Sequence, residues 1–282
     1  MLRAMGRMAL QGALPGRLPA RNPTTFLPAT MTIPAPSTKL IRSYANWSGA
    51  GEGYANALPP HLFSQWALPA LVQVLEQTRY RLASIINQGL TMRVNGELPA
   101  GQPLIVSARL ASLEELNNRA RIAVEITSGP ATQPDAVVGT MHVSFILGRQ
   151  DKRAGRDAEP PLDWRTLGQW QASGDDGFRF ALLTGDFNPI HWIGLAGRLS
   201  PFKQKVLHGF GMFVRSFEVL AKGGAIPEID VRFLKPVPLP SLSLRVQDAD
   251  AAGSGGRPLR LVGAGGELHM AGHYRRDEVA RA

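Results

Sequence analysis

The sequence predicts an α+β protein of two repeats, each a helix followed by an antiparallel sheet. Three observations predict it. Helical periodicity gives way to period-two alternation twice along the chain. A charged, proline-containing stretch separates the two runs, and short segments of the second run match the first at a nearly constant offset.

The first run opens after Leu58-Pro59-Pro60, where Leu68, Leu71, Val72, Leu75 and Leu82 recur at helical spacing and predict a helix over residues 67–83. Beyond Asn87 and Gly89 the alternation predicts strands at 90–96, 103–113, 119–127 and 136–147, divided by Asn, Gly and Pro turns. Residues 149–163 (RQDKRAGRDAEPPLD) lack apolar periodicity and read as a linker. The second run has a helix from about Phe210 to Lys222, ending at Gly223-Gly224, and strands near 228–234, 241–248, 257–263 and 266–275. Met92-Arg93-Val94, a proline turn and Leu104 correspond to Val231-Arg232-Phe233, Pro236–Pro240 and Leu242. An internal duplication accounts for this agreement. The organisation expected is a leader over 1–50, a first repeat over 51–148, the linker, and a second repeat over 164–282.

Composition narrows the function. The 282 residues are 44% hydrophobic, and no run approaches the roughly 18 apolar residues that a membrane helix needs. With no cysteine, disulfides, thiolate metal sites and cysteine nucleophiles are excluded. Of the nine net positive charges, six lie in residues 1–51, which contain no acidic residue, so the body is only mildly basic. Neither a zinc-finger spacing nor an arginine-rich helix supports nucleic-acid binding. The Arg-rich start resembles a mitochondrial transit peptide over residues 1–30, or else reflects GC-rich coding upstream of a start at Met31 in a cytoplasmic bacterial protein.

Residues 180–191 (FALLTGDFNPIH) and 205–213 (KVLHGFGMF) carry the candidate chemistry. Asp186 and His191 are five apart, about 140° around a helix, so a continuous helix would not bring them together. Pro189 blocks such a helix, Asn188 before it is driven extended, and Gly185 permits a sharp entry. A bend there can aim a carboxylate and an imidazole into one cavity as an acid/base pair holding a water. Downstream, His208-Gly209 precedes the second helix, where an open N–H backed by the helix dipole can polarise a carbonyl.

TGDFNPIH followed by VLHGF closely resembles the hydratase motif of the MaoC-like family, which includes (R)-specific enoyl-CoA hydratases and 3-hydroxyacyl dehydratases. Direct resemblance covers about residues 178–247, and the N-terminal half is similar to the degenerate first repeat of double-hot-dog members. The resemblance implies a double hot-dog fold, each repeat a long central helix wrapped by a curled sheet. It implies that Asp186 and His191 activate water, that the Gly209 N–H binds the thioester oxygen, and that Asn188 and His208 support the loop. The implied reaction is reversible hydration of trans-2-enoyl thioesters to (R)-3-hydroxyacyl thioesters. No metal or redox cofactor is implied, and CoA or acyl-carrier phosphopantetheine enters as part of the substrate. Hot-dog proteins also include thioesterases, and a non-catalytic acyl-thioester-binding subunit is a third reading.

The sequence departs from that pattern in places. Residues 194–205 (GLAGRLSPFKQK) are more basic than in relatives, and Arg198, Lys203 and Lys205 are candidates for CoA phosphates or an acidic carrier protein, against a reading as solvated charge. Where relatives offer a helix serine, this chain has Phe217 with Ser216 beside it, both taken as candidate substrate contacts. The glycine-aspartate that commonly follows the proline turn is absent at Leu239–Ser241. His61, His142, His269 and His273 are read as ordinary strand or surface residues. A homodimer and an internal pseudo-dimer both suit the architecture.

Overall fold

The computed structural model describes residues 22–54, 56–149, 162–250 and 256–277. Ten of its strands form one sheet in the order β1-β5-β6-β7-β3-β9-β12-β11-β10-β8. The first five are β1 (Ala29–Ile33), β3 (Ile86–Val94), β5 (Leu104–Leu116), β6 (Arg119–Gly129) and β7 (Val137–Ile146). The second five are β8 (Trp164–Ala172), β9 (Glu228–Phe233), β10 (Ser241–Ala249), β11 (Arg257–Gly263) and β12 (Leu268–Arg275). A two-stranded ribbon of β2 (Ala57–Leu58) and β4 (Leu98–Pro99) lies apart from this sheet.

From the central β3–β9 pair outward, each half runs through the same sequence of strands, ending on β1 in one and β8 in the other. Met92 opposes Ile229 and Leu90 opposes Val231, with Thr91 opposite Asp230 between them. The sequence offset that equates Met92 with Val231 also equates Thr91 with Asp230, so the pseudo-twofold axis passes through this pair.

The helices follow the same symmetry. Helix α1 (Thr38–Ser48) begins where Ser37 Oγ accepts from the Leu40 N–H and ends at Gly49 in the left-handed region. Helix α3 (Asp176–Thr184) likewise ends at a left-handed Gly185. Helix α2 (Ser64–Leu75) packs on β1, β5 and β6, and α5 (Gly209–Ala221) packs on β8 and β10. Each buries an apolar stripe, Trp66, Ala70, Leu71, Val74 and Leu75 on α2 and Met212, Phe213, Phe217 and Leu220 on α5. Burial of each large side chain is worth roughly 1.5–3 kcal/mol against exposure. Trp66 also needs a partner for its indole N–H, and Ser128 Oγ accepts it at 2.7 Å.

Two expectations change. The fold does not begin at residue 51: β1 pairs with β5, and α1 buries Tyr44 and Ala45 in the core. Residues 29–48 are the first repeat's counterpart of β8 and α3, so two fifths of the expected leader belongs to that repeat; residues 1–21 lie outside the described ones. The helix expected over 67–83 ends at Leu75, where the Thr78 hydroxyl takes the Leu75 carbonyl. Leu82 keeps its helical spacing but is buried from a separate 3-10 turn. The expected linker falls almost wholly outside the described residues. Among those described, no helix is long and apolar enough to cross a membrane.

One buried ion pair ties α1, α3 and α5 together. Asp176 accepts from both terminal nitrogens of Arg215 at 2.8 and 2.9 Å, from the Trp47 indole at 3.1 Å and from the Ser173 N–H at 2.8 Å. The Trp47 ring lies 4.1 Å from the Arg215 guanidinium carbon, adding a cation–π contact. Removing the carboxylate strands a largely buried arginine. Asp176→Ala is therefore expected to cost about 3–5 kcal/mol of unfolding free energy, read from the shift in urea midpoint.

Candidate active site

Between α3 and α5 the chain folds into a short, irregular loop. After Gly185, Asn188 is extended and Pro189–His191 form a single 3-10 turn, whose first free N–H, that of Ile190, is accepted by the Asn188 side chain at 3.4 Å. The proline thus breaks the helix, as the sequence predicts, and the turn brings Asp186 and His191 back toward the start of α5. Helix α4 (Gly194–Leu199) follows before the chain returns to His208.

Asp186, His191 and His208 converge, with a carboxylate oxygen and one nitrogen from each ring all within 4.8 Å of one another. The backbone fixes both tautomers. His191 Nδ1 lies 2.7 Å from the Val206 carbonyl, which can only accept, so Nδ1 carries the proton and Nε2 keeps a free lone pair. His208 is the reverse: its Nε2–H donates to the Asp186 carbonyl oxygen at 2.9 Å, while its buried Nδ1 has no hydrogen-bond partner. The two rings stack at 3.6 Å between centroids. Stacked rings send their in-plane lone pairs along neighbouring planes, a poor arrangement for one metal ion. The Asn188 N–H donates to Asp186 Oδ1 at 3.3 Å.

Burial sets the electrostatics. It pushes the Asp186 carboxyl above its ordinary range, against the opposing pull of His191 and of the Asn188 N–H. It pushes His191 down, against Asp186 and the Val206 carbonyl. His208, 2% exposed and stacked on another imidazole, is held well below the usual histidine value by burial and then by His191. The pair therefore favours a neutral His191 with its lone pair available.

Gly209 is the first residue of α5, so its N–H is not used by the helix. A Cβ there would lie 2.6 Å from the Phe233 ring, so packing demands glycine at this position irrespective of any ligand. At Gly177 a Cβ would meet the His191 carbonyl oxygen at 2.0 Å, so the loop rests directly on α3.

The remaining candidates separate. Arg198 and Lys203 are exposed. Lys205 is committed, donating to the Gly174 carbonyl at 2.5 Å and bracing the loop against the start of α3. Ser216 is fully buried with its hydroxyl unpaired. Phe217 is not brought to the Asp186 loop: its ring packs 5.1 Å from His61, and it lines a different cavity. His61 is no surface residue, being fully buried and bonded to Glu218, and His269 is also buried. The sequence carried a signal for His61, which precedes its repeat's helix as His208 does, but the missing glycine after it hid the correspondence.

Residues 156–250 match the family model of the MaoC-like domain. Over that stretch, about a third of the chain, the sequence is similar to the MaoC-like domain. No curated protein matches the sequence significantly. Among solved structures, HtdX of Mycobacterium tuberculosis is 19% identical, with 88% of this chain and 100% of that one covered and a TM-score of 0.69. A MaoC-like dehydratase from Phytophthora capsici is 18% identical over 91% and 98%, with a TM-score of 0.70. A second Mycobacterium tuberculosis protein, described as a double hot-dog, is 10% identical over 91% and 97%, with a TM-score of 0.55. The chain has that same double hot-dog fold, and the Asp186 loop lies inside the residues that match the family model.

Histidine-selective NMR provides a check on the site's electrostatics. His208 is expected to stay neutral, in its Nε2–H tautomer, across the range in which free histidine titrates. A ring that protonates near 6.5 would contradict the burial argument.

Proposed function

We propose that the protein catalyses the reversible hydration of trans-2-enoyl thioesters to (R)-3-hydroxyacyl thioesters. The observation that carries the reading is the convergence of the Asp186 carboxylate with the His191 ring, whose Nε2 is left free by the Nδ1 bond to Val206, within residues similar to the MaoC-like domain and next to the first turn of α5.

A water between Asp186 and Nε2 of His191 gives up one proton to the pair as its oxygen attacks C3. The C2–C3 π electrons move toward the carbonyl, and the thioester oxygen takes on charge. The Gly209 N–H, at the positive end of the α5 dipole, faces that charge. The pair then returns the proton to C2, so no atom beyond those of water is added. His208 serves as a positioning residue, since its bond to the Asp186 carbonyl fixes the backbone that carries the carboxylate. CoA or phosphopantetheine is the handle on the substrate, with Arg198 and Lys203, the exposed cations between His191 and His208, to meet its phosphate. With Lys205 occupied, Ser216 sealed and Phe217 elsewhere, these three no longer figure as substrate contacts.

Hydration of crotonyl-CoA, followed by loss of enoyl absorbance, tests the reading. Asp186→Asn and His191→Ala are each expected to lower kcat/KM by about 10² or more with the fold intact; wild-type rates in both variants would overturn the assignment. Release of free thiol instead of loss of enoyl absorbance would identify a thioesterase, and tight thioester binding without either would identify a binding subunit.

A pH profile adds a signed expectation. The carboxylate must be ionised to act as a base, and burial raises its pKa, so kcat/KM falls on the acid side through a midpoint above 3.8, the unperturbed aspartate value.

A further inference from the structure

The first repeat has its own counterpart of the catalytic loop. Both loops leave a helix through a left-handed glycine, Gly49 after α1 and Gly185 after α3, and both reach a histidine just before the repeat's long helix, His61 before α2 and His208 before α5. The residue after the glycine is Asp186 in one repeat and Ala50 in the other. The first loop lacks the carboxylate of the hydratase motif. Instead it borders a cavity of about 990 Å³.

This cavity is lined by Leu58, Leu98, Phe217 and Ile226, all buried, with Tyr54 and Glu218 as the polar groups set among them and Asn56 and Asn95 exposed at its edge. Glu218 lies in the second half of α5, so one helix serves both repeats: its N-terminus faces the Asp186 loop and its C-terminal half reaches the other cavity. Glu218 Oε1 accepts from His61 Nε2 at 2.5 Å and from the Tyr54 hydroxyl at 3.1 Å. His61 is itself fixed, with Nδ1 3.2 Å from the Tyr44 hydroxyl, which bonds in turn to Ser64. Both bonds to the carboxylate use Oε1, which leaves Oε2 for a ligand. At the exposed rim stand Glu97 and Asp277 against Lys222, an acidic excess in a chain whose net charge is +9.

A held carboxylate, two aromatic rings and an acidic rim select for positive charge. Ring faces and carboxylates both attract ammonium, whereas phosphates meet repulsion. We propose that the first repeat's cavity binds an aliphatic ammonium compound, with Glu218 as its counter-ion and Tyr54 and Phe217 as its aromatic walls. Burial and the neighbouring carboxylate push the Tyr54 phenol above its ordinary range, so it remains a donor to Glu218 at any physiological pH. The apolar lining takes the alkyl chain, as in small-molecule sites where a few polar groups fix orientation. The site is independent of the hydratase reading.

Calorimetric titration of the full chain with n-octylammonium and, separately, octanoate tests it. One octylammonium is expected to bind, with octanoate about tenfold weaker or worse. Glu218→Gln, which keeps an acceptor for His61, is expected to weaken octylammonium by about tenfold. Ala221→Phe, which narrows the cavity without touching the carboxylate, is expected to abolish binding, and Asp186→Asn to leave it unchanged. Equal binding of octanoate, no binding of octylammonium, wild-type affinity in a folded Glu218→Gln or Ala221→Phe, or displacement by crotonyl-CoA would each overturn the proposal.

Discussion

The pairing of β3 with β9 is the constraint on which the rest of the structure depends. These two strands join the two half-sheets into one, and at their centre Thr91 Oγ1 donates to Asp230 Oδ2 at 2.7 Å. Gly89 lets the backbones come together at the seam: it sits at φ 139°, and a Cβ there would lie 2.0 Å from the Val231 carbonyl oxygen. A slip of one residue in this register would exchange the buried and exposed faces of the strand. It would also carry α2 and α5, and with them both loops, out of their present relation.

The Asp186 loop is held largely by backbone atoms. Val206 orients His191, the Asp186 carbonyl orients His208, and the Asn188 N–H meets the carboxylate. The two bonds to backbone carbonyls cannot be removed by side-chain substitution at the acceptor, so the placing of both rings tolerates variation at those positions. The two imidazoles adopt opposite tautomers for the same reason, one with its free nitrogen toward Asp186 chemistry and the other with its free nitrogen sealed in the interior.

The strands were legible in the sequence because antiparallel sheets alternate, and the strands of both repeats except β1, β8 and the short ribbon fall within a few residues of their expected places. The bend at Gly185, Asn188 and Pro189 was equally legible, since each residue restricts its own backbone. The elements that were missed are those whose partners are distant. Strand β1 carries only five residues and is recognisable chiefly through β5. Helix α1 lies in a basic, acid-free stretch whose composition resembles a leader, while its burial depends on Tyr44 and on Trp47 reaching Asp176. Local pattern could not show that Lys205 would be taken by Gly174, or that Phe217 would face His61 rather than the Asp186 loop.

The symmetry of the fold also bears on how its two loops have come to differ. In a dimer of identical subunits, every substitution is written twice, and a change that suits one site is imposed on the other. Here the two copies share one chain but not one sequence, so Asp186 could persist while its counterpart became Ala50. The seam at β3 and β9 thus preserves the geometry of a dimer while freeing its halves to specialise.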